Sequence, residues 1–133
     1  MSRICLNCNK PGMTKDRRAV MARYDGFCKT VPDVHGWHCP HCGEVEFLDT
    51  ESSERFEQAL DTLAQQQRIW LRETRRKLRL TQAEAARITG GGINAFSRYE
   101  RGEARPVAAV INLFRMLDKH PELLSEVREP TPL

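Results

Sequence analysis

Apolar positions along this 133-residue chain change period about halfway. Before residue 50 they come in short β-branched and aromatic groups. Arg17 to Val31 mixes such residues with basic ones around Asp25-Gly26, a turn pair that predicts a hairpin, and Val45-Glu46-Phe47-Leu48 reads as a further short strand. From Asp49-Thr50, a helix-cap pair, the spacing becomes helical, with Phe56, Leu60 and Leu63 on one stripe of an otherwise polar segment. Ala64 to Arg68 contains no Pro or Gly, so either a few flexible residues or a continuing helix joins it to the next apolar stretch. Ile69, Trp70, Leu71 and Leu78 then mark a helix that carries Arg68, Arg72, Arg75, Arg76, Lys77 and Arg79. Such a run is either a solvated face or a surface for polyanions.

Thr81-Gln82-Ala83-Glu84 has the form of a capping box and predicts a helix start, with Ala85, Ala86 and Ile88 as its small apolar face. Gly90-Gly91-Gly92 stops that helix. A second is expected from Ile93 to about Glu100, with Gly92 as N-cap and Arg101-Gly102 ending it. Two short helices joined by a glycine turn make a helix-turn-helix, whose second helix presents its first residues to the major groove. Helical spacing turns Ile93, Phe96 and one of Tyr99 or Glu100 inward and leaves Asn94, Ala95 and Arg98 outward. Asparagine suits the adenine edge and arginine the guanine edge, so Asn94 and Arg98 are the candidate base readers. Thr81, Gln82, Ser97, Arg75, Arg79 and Arg101 are candidate contacts to the DNA backbone. Pro106 opens another helix with a broad apolar surface (Val107, Val110, Ile111, Phe114, Met116, Leu117), which serves either a core or a dimer interface. Leu123, Leu124 and Val127 belong to a short last helix, and Glu129 to Leu133 form a frayed tail.

Two cysteine pairs, Cys5-Leu-Asn-Cys8 and Cys39-Pro-His-Cys42, add chemistry to the first half. A two-residue spacer lets both sulfurs of a pair face one metal, and Gly12 and Gly43 just beyond are expected to supply the permissive backbone of the tight turns. A structural zinc ribbon fits best, with a hairpin between the pairs. Two disulfides or a redox pair are the alternatives. Met1-Ser2-Arg3-Ile4 has no apolar core of a leader, so a reducing, cytoplasmic location is expected. Four thiolates leave no open position for water, so the metal is expected to be structural, with no enzymatic role. His35, His38 and His41 lie nearby as surplus ligands, and Cys28 is expected to be a half-buried thiol.

A net charge of +3 conceals an asymmetry. Residues 1–66 hold 8 Lys/Arg against 10 Asp/Glu, whereas residues 67–133 hold 13 against 8. The second half has the basic footprint of a nucleic-acid binder and the first does not. With 40% hydrophobic and 29% charged residues and no apolar run long enough for a membrane, the chain reads as a soluble globular protein, long enough for one domain of ordinary size or two small ones.

Residues 81–106, from Thr81-Gln82-Ala83-Glu84 through Asn94-Ala95-Phe96-Ser97-Arg98-Tyr99-Glu100 to Pro106, resemble the Xre/Cro family of helix-turn-helix domains. The triple glycine, the later Leu117-Asp118-Lys119-His120-Pro121-Glu122-Leu123-Leu124 and the two cysteine knuckles together resemble the MqsA family of bacterial antitoxins. That resemblance implies an α+β two-domain protein. Its small zinc-ribbon-like α/β domain, residues 1–66, would capture a toxin, usually an MqsR-type mRNA-cleaving ribonuclease. Its all-α Xre/Cro-type domain, residues 67–133, would dimerise and bind a palindromic operator as autorepressor. Carried onto this chain, the resemblance places one Zn²⁺ on Cys5, Cys8, Cys39 and Cys42 and base reading on Asn94 and Arg98. A zinc-binding helix-turn-helix regulator without a toxin partner is the alternative.

Overall fold

The protein is described over residues 3–133 by a computed structural model. It divides into two compact units. The first contains the described residues up to Tyr24 together with Cys28–Leu63; the second contains Asp25–Phe27 and Ala64–Leu133.

The sheet has the order β1-β2-β3-β4, formed by Arg3–Ile4, Pro11–Tyr24, Phe27–His38 and Val45–Phe47. The β2–β3 hairpin turns at Asp25-Gly26, with φ of 30° and 81°. Positive φ at both turn positions matches the right-handed twist of the strands, which is why an Asp-Gly pair suits it. Strand β1 has no counterpart in the sequence pattern. It consists of two residues, antiparallel to Met13 and Pro11 across an irregular register. At the other edge Gly36, Trp37 and His38 pair with Phe47, Glu46 and Val45. Gly36 is required there: a Cβ would lie 2.5 Å from the Glu46 carbonyl oxygen and 2.8 Å from Val45 Cγ2.

Helix α1 runs without interruption over Thr50–Lys77, so the glutamine-rich stretch is helical. Nothing between Thr50 and Lys77 breaks the backbone, and Arg75, Arg76 and Lys77 in the last turn complement the helix dipole. Asp49 caps its start, accepting a 2.7 Å bond from the Ser52 amide, while Ser52 Oγ accepts the His35 amide at 3.0 Å. Arg55 reaches from α1 to donate to the carbonyls of Pro32 (2.6 Å) and Asp33 (2.7 Å), where Asp33 bends β3 with φ 53°. The rings of Phe47 and Phe56 meet at 5.4 Å, tilted by 53°. Cys28, expected half-buried, is exposed.

The second unit is helical: the end of α1, then α2 (Gln82–Thr89), α3 (Ala95–Glu100), α4 (Ala108–Lys119), a 3₁₀ turn (Pro121–Leu123) and α5 (Leu124–Arg128). Its core contains Leu71, Leu78, Leu80, Ala85, Ala86, Phe96, Val110, Ile111, Phe114 and Leu117. Helix α1 stops at Lys77, so Arg79 lies beyond the helix expected to carry it. Arg79 has φ 58°, and the Leu80 amide bonds back to the Arg75 carbonyl at 3.1 Å. This is a Schellman stop with arginine in the place usually held by glycine. Helix α4 begins at Ala108, with Val107 as its N-cap. Of its expected apolar surface, Val107 and Met116 stay exposed. Asp25 and Phe27 belong to this unit through a bidentate Arg105–Asp25 contact and an edge-on ring contact between Phe27 and Trp70 at 5.0 Å.

Candidate metal centre and nucleic-acid interface

The two knuckles fold alike. In the first, the Asn9 amide bonds the Cys5 carbonyl at 2.8 Å and the Cys5 amide bonds the Lys10 carbonyl at 3.0 Å. In the second, Gly43 bonds Cys39 at 3.2 Å and Cys39 bonds Glu44 at 2.9 Å. The left-handed residue of each is Asn9 (φ 62°) and Gly43 (φ 78°). Gly12, expected in that role, has φ 106° but sits in β2. Asparagine is the side chain that best tolerates the left-handed region, so it replaces glycine in the first knuckle.

This geometry gathers the sulfurs of Cys5, Cys8, Cys39 and Cys42 within 4.8 Å of one another. Cys5 and Cys42 are 3.7 Å apart and Cys8 and Cys39 are 3.6 Å apart. A tetrahedron with metal–sulfur bonds of about 2.3 Å has edges of about 3.8 Å, so the four thiols fit a single metal ion. Backbone amides of Cys42 and His41 hold the Cys39 thiol down to about 6. The Asn7 carboxamide, 3.5 Å from Cys42, lowers that thiol too. At Cys8 the Lys10 amide pulls the thiol down, but burial and the three neighbouring sulfurs outweigh it and push it up to about 11. Thiolates this close repel one another, and a divalent cation is what allows all four to ionise together. The three nearby histidines are committed elsewhere: His35 to Asp49 at 3.1 Å, His38 to the Val34 carbonyl at 3.0 Å, and His41 to the Pro11 carbonyl at 3.1 Å.

In the second unit the capping box forms: Thr81 Oγ1 accepts the Glu84 amide, Glu84 Oε1 accepts the Thr81 amide, both at 3.1 Å, and Gly90 ends α2 with φ 79°. Helix α3 starts at Ala95, two residues later than its spacing suggested, and Asn94 is its N-cap. That shift changes which residues face in. Phe96 is fully buried as expected, but Ile93 lies outside the helix and is 72% exposed, while Ala95 packs partly against the core. Asn94 and Arg98 are both exposed, and Asn94 makes no side-chain capping bond.

The candidate backbone contacts separate into two kinds. Thr81, Arg79 and Arg101 are exposed and Gln82 and Ser97 half-buried at the surface of α2, α3 and their flanks. Arg75 differs from the expectation. Its guanidinium is buried, bidentate to Glu100 (2.8 Å for each bond), with a third bond to the Leu80 carbonyl at 2.9 Å. Every face of that guanidinium has an internal partner, which removes it from the phosphate-contacting set. Lys77 is likewise held by Asp118, at 2.6 Å.

Fold and site thus define a sheet unit whose four clustered thiols could hold a metal ion, followed by a helical unit in which two short helices flank a glycine turn. The family described as the antitoxin component of a bacterial toxin-antitoxin system, MqsA, matches residues 3–128. The chain is also 38% identical to Antitoxin MqsA of Escherichia coli (strain K12) over 133 residues, covering 93% of this chain and 98% of that protein. It belongs to the MqsA antitoxin family, whose members are regulatory proteins and not enzymes.

Proposed function

We propose that this antitoxin neutralises an mRNA-cleaving ribonuclease of the MqsR type and represses its own operon as a cytoplasmic homodimer on a palindromic site. In this reading residues 1–66 bind the toxin and residues 67–133 dimerise and bind DNA. One Zn²⁺ per chain holds Cys5, Cys8, Cys39 and Cys42. Its role is structural, since four thiolates would fill its coordination sphere and the cluster of Cys5, Met13 and Cys39, with Cys8 and Trp37 packed against it, is built around the ligands themselves. No helix among the described residues is long and apolar enough to cross a membrane.

The observation that carries the reading is the pair Asn94 and Arg98, exposed one turn apart at the start of α3 behind a capped α2. Their donor and acceptor patterns match adenine and guanine edges, and each such contact discriminates by about 1–3 kcal/mol. Exposed Arg79 and Arg101, with Thr81, Gln82 and Ser97, would flank them at phosphates. The other half draws support from charge: α1 exposes Glu54, Glu57 and Asp61, and a ribonuclease that grips RNA must offer positive charge.

The test uses full-length variants in two assays, operator gel shift and rescue of cells expressing the toxin encoded beside this gene. Arg98→Ala should lose the operator and keep rescue, whereas Cys39→Ser should lose rescue. Equal losses of Arg98→Ala on operator and random duplexes would remove Arg98 from base reading. Undiminished rescue by Cys39→Ser would remove the metal unit from toxin binding.

A further inference from the structure

Ile93 has no structural duty that its position explains. It occupies, with Asn94, the tip of a turn closed by the Ala95 amide on the Gly92 carbonyl at 2.9 Å. The core beneath is already filled by Phe96, Ala85 and Ala86, all at most 1% exposed. Its branched apolar side chain, 72% exposed, stands on the same turn as the exposed Asn94. The glycines on either side of the turn leave room around it: a Cβ on Gly90 or Gly92 would meet nothing within 4 Å, and only Gly91 faces a close neighbour, Ala95. Beside it, Asn94 and Arg98 are exposed hydrogen-bonding groups that suit base edges. The major-groove floor offers one apolar feature, the 5-methyl group of thymine.

We infer that Ile93 is a third specificity-determining residue, which contacts the 5-methyl of a thymine adjacent to the base read by Asn94. The inference rests on the proposed operator binding. It adds discrimination that Asn94 and Arg98 cannot supply, since neither hydrogen-bonding group senses a methyl.

The experiment uses the full-length protein and the duplex it protects in footprinting of DNA upstream of its own gene. Each thymine is replaced singly by deoxyuridine, which lacks only the methyl. One thymine per half-site should show about a fourfold loss of affinity, the equivalent of one buried methyl-sized group. Ile93→Ala should lose about as much on the natural duplex and show no further loss with deoxyuridine at that position. Uniform tolerance of deoxyuridine by the native protein overturns the inference, and so does a deoxyuridine penalty unchanged in Ile93→Ala. Either result with operator preference over random DNA intact leaves the proposed DNA reading standing. Loss of that preference in the native protein removes both. The deoxyuridine scan needs no variant, so it decides the matter even if Ile93→Ala folds poorly.

Discussion

Replacing Arg75 with alanine should unfold the helical unit under conditions where the native chain is stable, although a run of basic residues before the proposed DNA-reading helix invites a phosphate role for it. The substitution removes two charge-assisted bonds to Glu100 and one to the Leu80 carbonyl. It also strands the Glu100 carboxylate, whose side chain is only 6% exposed. Removing one member of a buried pair costs about 3–5 kcal/mol. Arg72 lies 3.9 Å from Glu100 and is half exposed, so it can move in and offset part of the loss. The low end, about 3 kcal/mol, is therefore expected. For a unit of this size that corresponds to a fall in Tm of about 12–24 °C. Trp70 fluorescence in a Trp37→Phe background would report the transition, because Trp70 packs on this core. The double variant Arg75→Met, Glu100→Leu should recover most of the loss, since apolar residues of similar volume often replace a buried pair without penalty. A Tm for Arg75→Ala within about 2 °C of native, together with a reduced salt dependence of DNA binding, would refute the reasoning and return Arg75 to the phosphates.

Chelation of the metal should unfold the sheet unit while leaving most of the helical signal of the second unit, as read by circular dichroism and sulfhydryl titration. Gly36→Ala would force a methyl against the Glu46 carbonyl and displace β4. Its expected cost is about 1–3 kcal/mol, with faster metal loss to a chromogenic chelator. Arg79→Gly should stabilise the end of α1 by relieving a left-handed non-glycine residue, yet weaken operator and random DNA alike; urea midpoints and salt-dependent gel shifts would read the two effects separately. Four carboxylates are held below their usual range: Glu84 by the Thr81 amide and Arg128, Asp118 by Lys77 and Trp70, Asp49 by the Ser52 amide, and Asp16 by Arg18 and the Arg17 amide. Their contribution to stability is complete above the ordinary carboxylate value of about 4 and is lost as pH falls from there through the lowered values, so urea midpoints should drop over that acid window and stay flat above it.

What could be read directly from the chain was whatever depends on neighbours in sequence. The cysteine spacing, the Asp25-Gly26 turn and the Thr81–Glu84 box each act over a few residues, and each formed, whereas the stretch from Ala64 to Arg68 was equally compatible with a flexible joint and with the continuous helix it forms. Non-local pairing stayed hidden. Arg75 meets Glu100 across 25 positions, so a local charge run could not distinguish it from exposed Arg72 and Arg76. Strand β1 exists only through its pairing with β2, since two residues carry no period. Ile93 was turned inward because a helix start two residues too early extended the 3.6-residue spacing into a turn. Asn9 could have been found, as it occupies the same place after Cys8 that Gly43 occupies after Cys42.

The placement of the four thiols also sets a timetable. All of them precede residue 43, and the sheet unit is complete at Leu63, near the middle of the chain. A chain emerging from the ribosome in N-to-C order can bring its four thiols together before the capping box at Thr81 has emerged and folded. If the proposed division of labour holds, each new molecule is competent to meet a toxin before it is competent to meet an operator. The nascent chain would then draw on free toxin first, and silencing of the operon would come only from chains that had been finished.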